Sequence, residues 1–206
     1  MNWHCQLQTL AKAQAMLATN LIVIVGGSST GKTTLAQALQ ERLLPAQWLH
    51  ISLDTLLYCL PRSLVNRADL ANDWSAIDTT LISKLAHSLV RSVLHSGGRV
   101  VFDCVVMSER GAKQLVTSLN TCSPYLVGTQ CAWDELVRRT QLRGDRTLAE
   151  VRRGFEMSGR FLAVDCTLDT TASSPVQLVD ELLGHLVRPL GTAAWQHNLA
   201  RYGAPS

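Results

Sequence analysis

From Leu21 onward, short unbroken apolar runs alternate with longer stretches in which apolar residues recur every three or four positions. The runs at Leu21 to Val25, Trp48 to Ser52, Arg99 to Cys104, Tyr125 to Gln130 and Ala163 to Leu168 read as five strands. Each is short and almost uniformly apolar, as a strand buried on both faces of a parallel sheet must be. Between them the helical period predicts helices from about Lys32 to Leu43, at Glu109 to Leu119, Trp133 to Leu142 and Val176 to Val187, with a short one starting at Asp54. The longest carries Ile77, Leu81, Leu85, Leu89 and Val93 at four-residue steps and runs to His95, where Gly97-Gly98 ends it. Strand and helix alternating in this way predict an α/β fold, a five-stranded parallel sheet with helices on both faces. The stretch with Pro61 and the polar residues from Asn66 to Asp73 interrupts the pattern. We read residues 21–188 as one domain, residues 1–20 as an N-terminal extension that could form a helix through Leu7, Leu10, Ala11, Ala13, Ala15 and Leu17, and residues 189–206 as a tail without a place.

Composition narrows the class more than it identifies a function. With 47% hydrophobic and 17% charged residues, the chain has no apolar run near the roughly 18 residues that cross a bilayer, so no membrane partner is expected. The first twenty residues lack a basic start, a sustained apolar segment and a cleavage site, so the expected address is cytoplasmic. The six cysteines form no CxxC pair and read as reduced core residues, and the six histidines show no metal-ligand spacing. The formal charge of +3 argues for neither nucleic acid nor anionic lipid. Charge is unevenly distributed, however. Between Arg138 and Arg160 lie seven arginines against three acids. That excess could face phosphates or be a solvated helix face. With Phe155 and Phe161 the only aromatics near it, a nucleic-acid partner is not expected. Nothing in the sequence reads an oligomeric state.

Directly after the first strand stands Gly26-Gly27-Ser28-Ser29-Thr30-Gly31-Lys32-Thr33, a complete GxxxxGK[ST], followed at once by a helical pattern and by Thr34. That strand–loop–helix context is what a phosphate-binding P-loop requires. Gly26 and Gly31 are expected to adopt backbone angles closed to other residues, so that successive N–H groups cradle phosphates at a helix N-terminus. Lys32 then reaches the β- and γ-phosphates of ATP, and the Thr33 hydroxyl binds Mg²⁺. Val100-Val101-Phe102-Asp103 is an apolar strand ending in an acid, where a carboxylate would hold the Mg²⁺ or its water shell.

A P-loop alone serves switches, motors and phosphotransferases, so other residues must choose among them. The second strand ends in Leu53-Asp54, placing a carboxylate at the carboxyl end of a strand, where ligands of doubly wound sheets bind. Asp54 can there reach a small-molecule hydroxyl acceptor, or simply cap the helix that follows. The arginine-rich segment occupies the place of a lid that closes over phosphates and excludes water, and Arg143 and Arg146, flanking Gly144-Asp145, are best placed within it. The guanine-reading N-K-x-D of nucleotide switches is missing from the sequence.

These stretches together resemble the chloramphenicol phosphotransferase-like P-loop kinases. The matching segments are Gly26 to Thr34, Trp48 to Pro61, Gly97 to Val105, Arg143 to Arg146, and Leu168 to Thr171, in the family's order. The resemblance implies a P-loop kinase fold with an arginine-rich lid and a 3'-hydroxyl kinase acting on chloramphenicol or a related aminodiol. It implies Asp54 as catalytic base, Lys32 and the P-loop on ATP, lid arginines on the phosphates, and Asp169 and Thr170 by the adenine. In two respects the chain departs from the family: Asp103-Cys104 stands where the family has paired acids, and both terminal segments are extra. Tyr58 to Trp74, in the acceptor region, is not diagnostic, which leaves another alcohol, such as a sugar, nucleoside or different antibiotic, open as the acceptor.

Overall fold

Strand β1 (Leu21–Gly26) is buried along its whole length because it is the centre of a five-stranded sheet ordered β2-β3-β1-β4-β5. The computed structural model describes residues 19–71, 73–144, 147–186 and 193–203. β2 (Trp48–Ser52), β3 (Arg99–Cys104), β4 (Tyr125–Gln130) and β5 (Cys166–Asp169) all run parallel to their neighbours. Parallel pairing demands a crossover between successive strands, and helices supply it. Among the described residues these are α1 (Lys32–Arg42), α2 (Leu53–Leu57), α3 (Arg62–Ala71), α4 (Thr79–His95), α5 (Glu109–Ser118), α6 (Trp133–Arg143), α7 (Leu148–Met157), α8 (Pro175–Leu186) and α9 (Ala193–Tyr202).

Alternate residues of each strand feed two cores, one on either side of the sheet. Val23, Val25, Ile51, Val100, Phe102 and Leu126 meet α4, α5 and α9 through Ala86, Val90, Leu115, Val116, Trp195 and Tyr202. Ile22, Ile24, Val101 and Val127 meet α1 and α8 through Leu35, Leu39, Leu178 and Leu182. Truncating fully buried Phe102 to Ala would cost about 3–5 kcal/mol, so the strand that carries Asp103 is rigidly held.

The structure departs from the sequence reading, or adds to it, at several places. On α4 the buried residues are Ala86, His87 and Val90, whereas Leu81 and Leu85 are each 49% exposed and Leu89 39%. The sequence carries two four-residue stripes about 100° apart, and the one with small residues lets the helix backbone approach the sheet. The polar interruption after Pro61 contains helix α3, and the arginine-rich segment is largely helical, divided between α6 and α7. Within residues 189–206, which the sequence leaves without a place, residues 193–203 are described and include helix α9. Asn198 accepts from the Ala163 amide (3.0 Å) and donates to the Ala163 carbonyl (2.9 Å), and the Tyr202 hydroxyl donates to the Phe161 carbonyl (2.9 Å). Helix α9 thereby pins the segment that returns the chain from the lid to β5. That segment is irregular from Ala163 to Asp165, so the last strand starts at Cys166.

Candidate active site

The loop from β1 to α1 owes its shape to residues beneath it as much as to its own glycines. Gly31 (φ 84°) lies in the left-handed region, as expected, and so does Ser29 (φ 62°). Gly26 does not, and this corrects its expected role: a Cβ there would come within 2.1 Å of Thr129 Oγ1, so glycine is required by the close approach of β4. Thr30 ties the loop down, its hydroxyl reaching the Gly27 carbonyl (2.9 Å) and Thr129 Oγ1 (2.8 Å). Lys32 is buried, with Nζ donating to the Gly27 carbonyl at 2.7 Å. Helix α1 starts at a glycine N-cap with no side-chain capping bond and no acid in its first turn. By contrast, Asp78 caps α4, Ser108 caps α5, and Thr147 with Glu150 forms a capping box on α7. With no side-chain cap and no acid in its first turn, the α1 terminus keeps its positive end for an external anion.

Asp103, only 4% exposed at the end of β3, accepts from the Thr33 hydroxyl (3.0 Å) and from His50 Nε2 (2.8 Å), both at Oδ2. Burial disfavours its charge, but the hydrogen bond and electrostatic pull of His50, the charge of Lys32 and the Thr33 hydrogen bond outweigh it. The carboxyl is held below its ordinary range. Next to it the Cys104 thiol is pushed up to about 12, first by burial and then by the Asp103 charge, against the pull of Lys32, and stays neutral. Asp54 lies in the first turn of α2, but the N-cap is Ser52, whose Oγ accepts from the Asp54 amide at 3.0 Å. The capping role weighed for Asp54 thus falls to Ser52.

These groups open on one cavity of about 450 Å³. Ser28, Ser29, Gly31, Lys32, Thr33, Thr34, Asp54, Asp103, Arg143 and Thr170 line it, together with Leu53, Cys104, Val105, Arg139 and Pro175. Gly26, Gly27 and Thr30 shape the loop without lining the cavity. Asp169 is also outside the lining, its Oδ1 accepting from the Thr171 amide (2.9 Å) and hydroxyl. Arg146 lies outside the described residues.

Two groups were not singled out from sequence. Arg139 donates from Nε to Glu135 (2.8 Å), from Nη1 to the Thr170 hydroxyl (3.1 Å) and from Nη2 to the Thr170 carbonyl, so its guanidinium is fixed between α6 and the end of β5. It was one of seven arginines, and its only local signal is the acid four residues earlier. His50 was one of six histidines, detectable only as the strand residue facing the same side as Asp103.

The lid rests on the P-loop by direct backbone approach. A Cβ on Gly27 would meet the Gly154 carbonyl oxygen at 2.9 Å, and one on Gly154 would meet the Ser28 amide at 3.2 Å. Thr140 reaches Ser29 Oγ at 3.4 Å, and a small separate core of Cys131, Leu136 and Val151 joins α6 to α7. Gly144 (φ 66°) terminates α6, as a turn at that glycine predicted.

No group of three or more His, Cys, Asp and Glu among the described residues could cage a metal. The donors that do face the cavity, the Thr33 hydroxyl and the Asp103 carboxylate, are hard oxygens. They suit a cation such as Mg²⁺ that takes one or two protein oxygens plus substrate phosphates. No helix of the described residues is long and apolar enough to cross a membrane.

A family model described as "Chloramphenicol phosphotransferase-like protein" matches residues 19–187. The "Putative O-phosphotransferase" of Mycobacterium tuberculosis, present in two strains, is 28% identical over 191 residues, covering 84% of each chain. The APS kinase of Mycobacterium tuberculosis, solved with AMPPNP and APS, superposes with a TM-score of 0.60 at 15% identity over 82% of this chain and 98% of its own. The tunicamycin resistance protein of Deinococcus radiodurans superposes at 0.58 and 15% identity, over 81% and 94%. Both share the fold.

Proposed function

Because the chain belongs to the chloramphenicol phosphotransferase-like protein family, we propose that it is an ATP-dependent kinase that phosphorylates a hydroxyl group of a small molecule. The observation that carries this reading is convergence on one cavity: the P-loop with Lys32, the Thr33–Asp103 pair, the Asp54 carboxylate and the lid's Arg143. The P-loop N–H groups and Lys32 bind the β- and γ-phosphates, and Thr170, with Arg139 holding it and Asp169 beside it, borders the nucleotide's base. When bound, Mg²⁺ neutralises charge on the phosphates. Thr33 would hold it, with Asp103 accepting the Thr33 hydrogen bond so that the hydroxyl lone pairs face the cation.

Asp54 accepts the proton of the acceptor hydroxyl as its oxygen bonds to the γ-phosphorus and the bond to the β,γ-bridging oxygen breaks. A positioned base contributes about 10²- to 10⁴-fold. Arg143 meets charge on the transferring phosphoryl group, and α6 and α7 exclude water from it. Residues 21–188, with α9 packed into their core, carry this reaction as one unit.

Leu53, Cys104 and Val105 give the acceptor side apolar surface beside Asp54. This supports an amphipathic alcohol such as chloramphenicol or a related aminodiol, and hence antibiotic inactivation in the cytoplasm. The test is an ATP-consumption screen of the purified protein, with Mg²⁺, over hydroxylated antibiotics, nucleosides and sugars. Turnover with an antibiotic and a phosphorylated product by mass spectrometry is expected. Turnover only with a sugar or nucleoside would keep the kinase and discard the antibiotic role, and no turnover with any alcohol would discard the kinase.

A further inference from the structure

His50 is not among the residues that line the cavity, yet its ring is spent on the most enclosed carboxylate of the cleft. β2 and β3 pair with Ser52 opposite Asp103 and His50 opposite Val101. Side chains alternate along a strand, so His50 and Asp103 share the face toward α1, where Thr33 stands. A carboxylate oxygen accepts, so His50 Nε2 is the donor in the 2.8 Å bond to Asp103. Thr33 donates to the same Oδ2 at 3.0 Å.

Two donors converging on one oxygen fix the rotamer of a carboxylate that is almost out of water. A threonine whose hydroxyl hydrogen is engaged by Asp103 has only lone pairs left for the cavity, which is what a hard cation takes. Without His50, Asp103 keeps only Thr33 of these two donors, and its rotamer is no longer fixed from both sides.

We propose that His50 is a positioning residue of this site: its Nε2–H holds Asp103 on Thr33, and so sets how tightly the P-loop threonine takes up the divalent cation that accompanies the nucleotide. The inference rests on the nucleotide reading above. A hydrogen bond that orients a metal-site group is typically worth about 10- to 100-fold in metal affinity.

The experiment measures Mg²⁺ affinity of the full chain saturated with AMP-PNP, and AMP-PNP affinity in EDTA, for wild type, His50→Ala, His50→Phe and His50→Gln, with thermal unfolding of each. His50→Phe keeps the ring's bulk without a donor, and His50→Gln keeps a donor without the ring. Expected is about a tenfold or greater loss of Mg²⁺ affinity in His50→Phe and His50→Ala, unchanged metal-free nucleotide affinity, and recovery of most of the loss in His50→Gln. Wild-type Mg²⁺ affinity in His50→Phe, a His50→Gln as weak as His50→Phe, or metal-free nucleotide binding that falls in step with Mg²⁺ binding would each overturn the inference alone. Failure of the wild-type protein to bind AMP-PNP at all would overturn the nucleotide reading, and this inference with it.

Discussion

On the P-loop wall of the cleft, the groups facing phosphate all lie between Gly26 and Thr34, held by bonds within the loop and to β4 directly beneath it. The lid wall is assembled from α6 and α7, whose small core of Cys131, Leu136 and Val151 is separate from the two large cores around the sheet. Its hold on the loop is the Gly27–Gly154 approach, the 3.4 Å contact of Thr140 with Ser29, and Arg139 on Thr170. A wall built on a buried strand is preorganised for binding. A wall with little buried apolar surface of its own is the one that can open and close. On the proposed reading, binding falls to the wall built on the sheet and closure to the wall built on α6 and α7.

Removing a group from the rigid wall should break the reaction outright. Lys32→Ala is expected to leave the protein folded and abolish phosphoryl transfer, because a charge on the β- and γ-phosphates is lost; turnover of the folded variant at the wild-type rate would show that the P-loop is not catalytic. Asp54→Asn is expected to cut turnover about a hundredfold or more with nearly unchanged ATP affinity and melting temperature, since Ser52 is the N-cap and no cap is disturbed. Wild-type kcat in this variant would place the base elsewhere.

Perturbing the wall of α6 and α7 should act on kcat more than on binding. Arg143→Ala is expected to lower kcat about ten- to a hundredfold while weakening ATP binding less, as for a group engaged mainly in the transition state. Equal loss in nucleotide affinity with unchanged kcat would make Arg143 a ground-state anchor. In Gly154→Ala the added methyl meets the Ser28 amide at 3.2 Å, so α7 must lift by a few tenths of an ångström. Alanine favours helix by about 0.5–1 kcal/mol, so stability should hold or rise while the ratio of ATP hydrolysed to acceptor phosphorylated increases severalfold. Unchanged coupling would mean that the seat is not part of closure.

The smallest effect concerns the acid that anchors the lid arginines. Glu135 is held down to about 2 by its hydrogen bonds from Arg138 and then Arg139. Its folded value lies below the ordinary 4.5, so the contribution is fully present above that value and is lost as pH falls from there toward about 2. The difference in melting temperature between wild type and Glu135→Gln should therefore shrink across that interval. A constant difference would rule out the ion pair as its source.

What the sequence by itself determined was whatever depends on neighbours along the chain. The five strands, the P-loop with its helix and the turn at Gly144 are local, since strand burial, glycine geometry and helical period leave marks within a few residues. The family and the kinase fold were legible for the same reason, because their motifs are contiguous. Only the tertiary structure decided the rest. Gly26 is a glycine because Thr129, on another strand, comes too close for a Cβ, and Gly154 lies on Gly27 across the whole lid. The buried stripe of α4 follows Ala86 and Val90, since close approach to Phe102 favours small residues over the larger leucines beside them. Arg139 stands out from the six other arginines of its segment, and His50 from the five other histidines, through partners far away in sequence, Thr170 and Asp103. A pairing between distant positions leaves no periodicity at either one, which is why folding had to bring them together before their roles could be read.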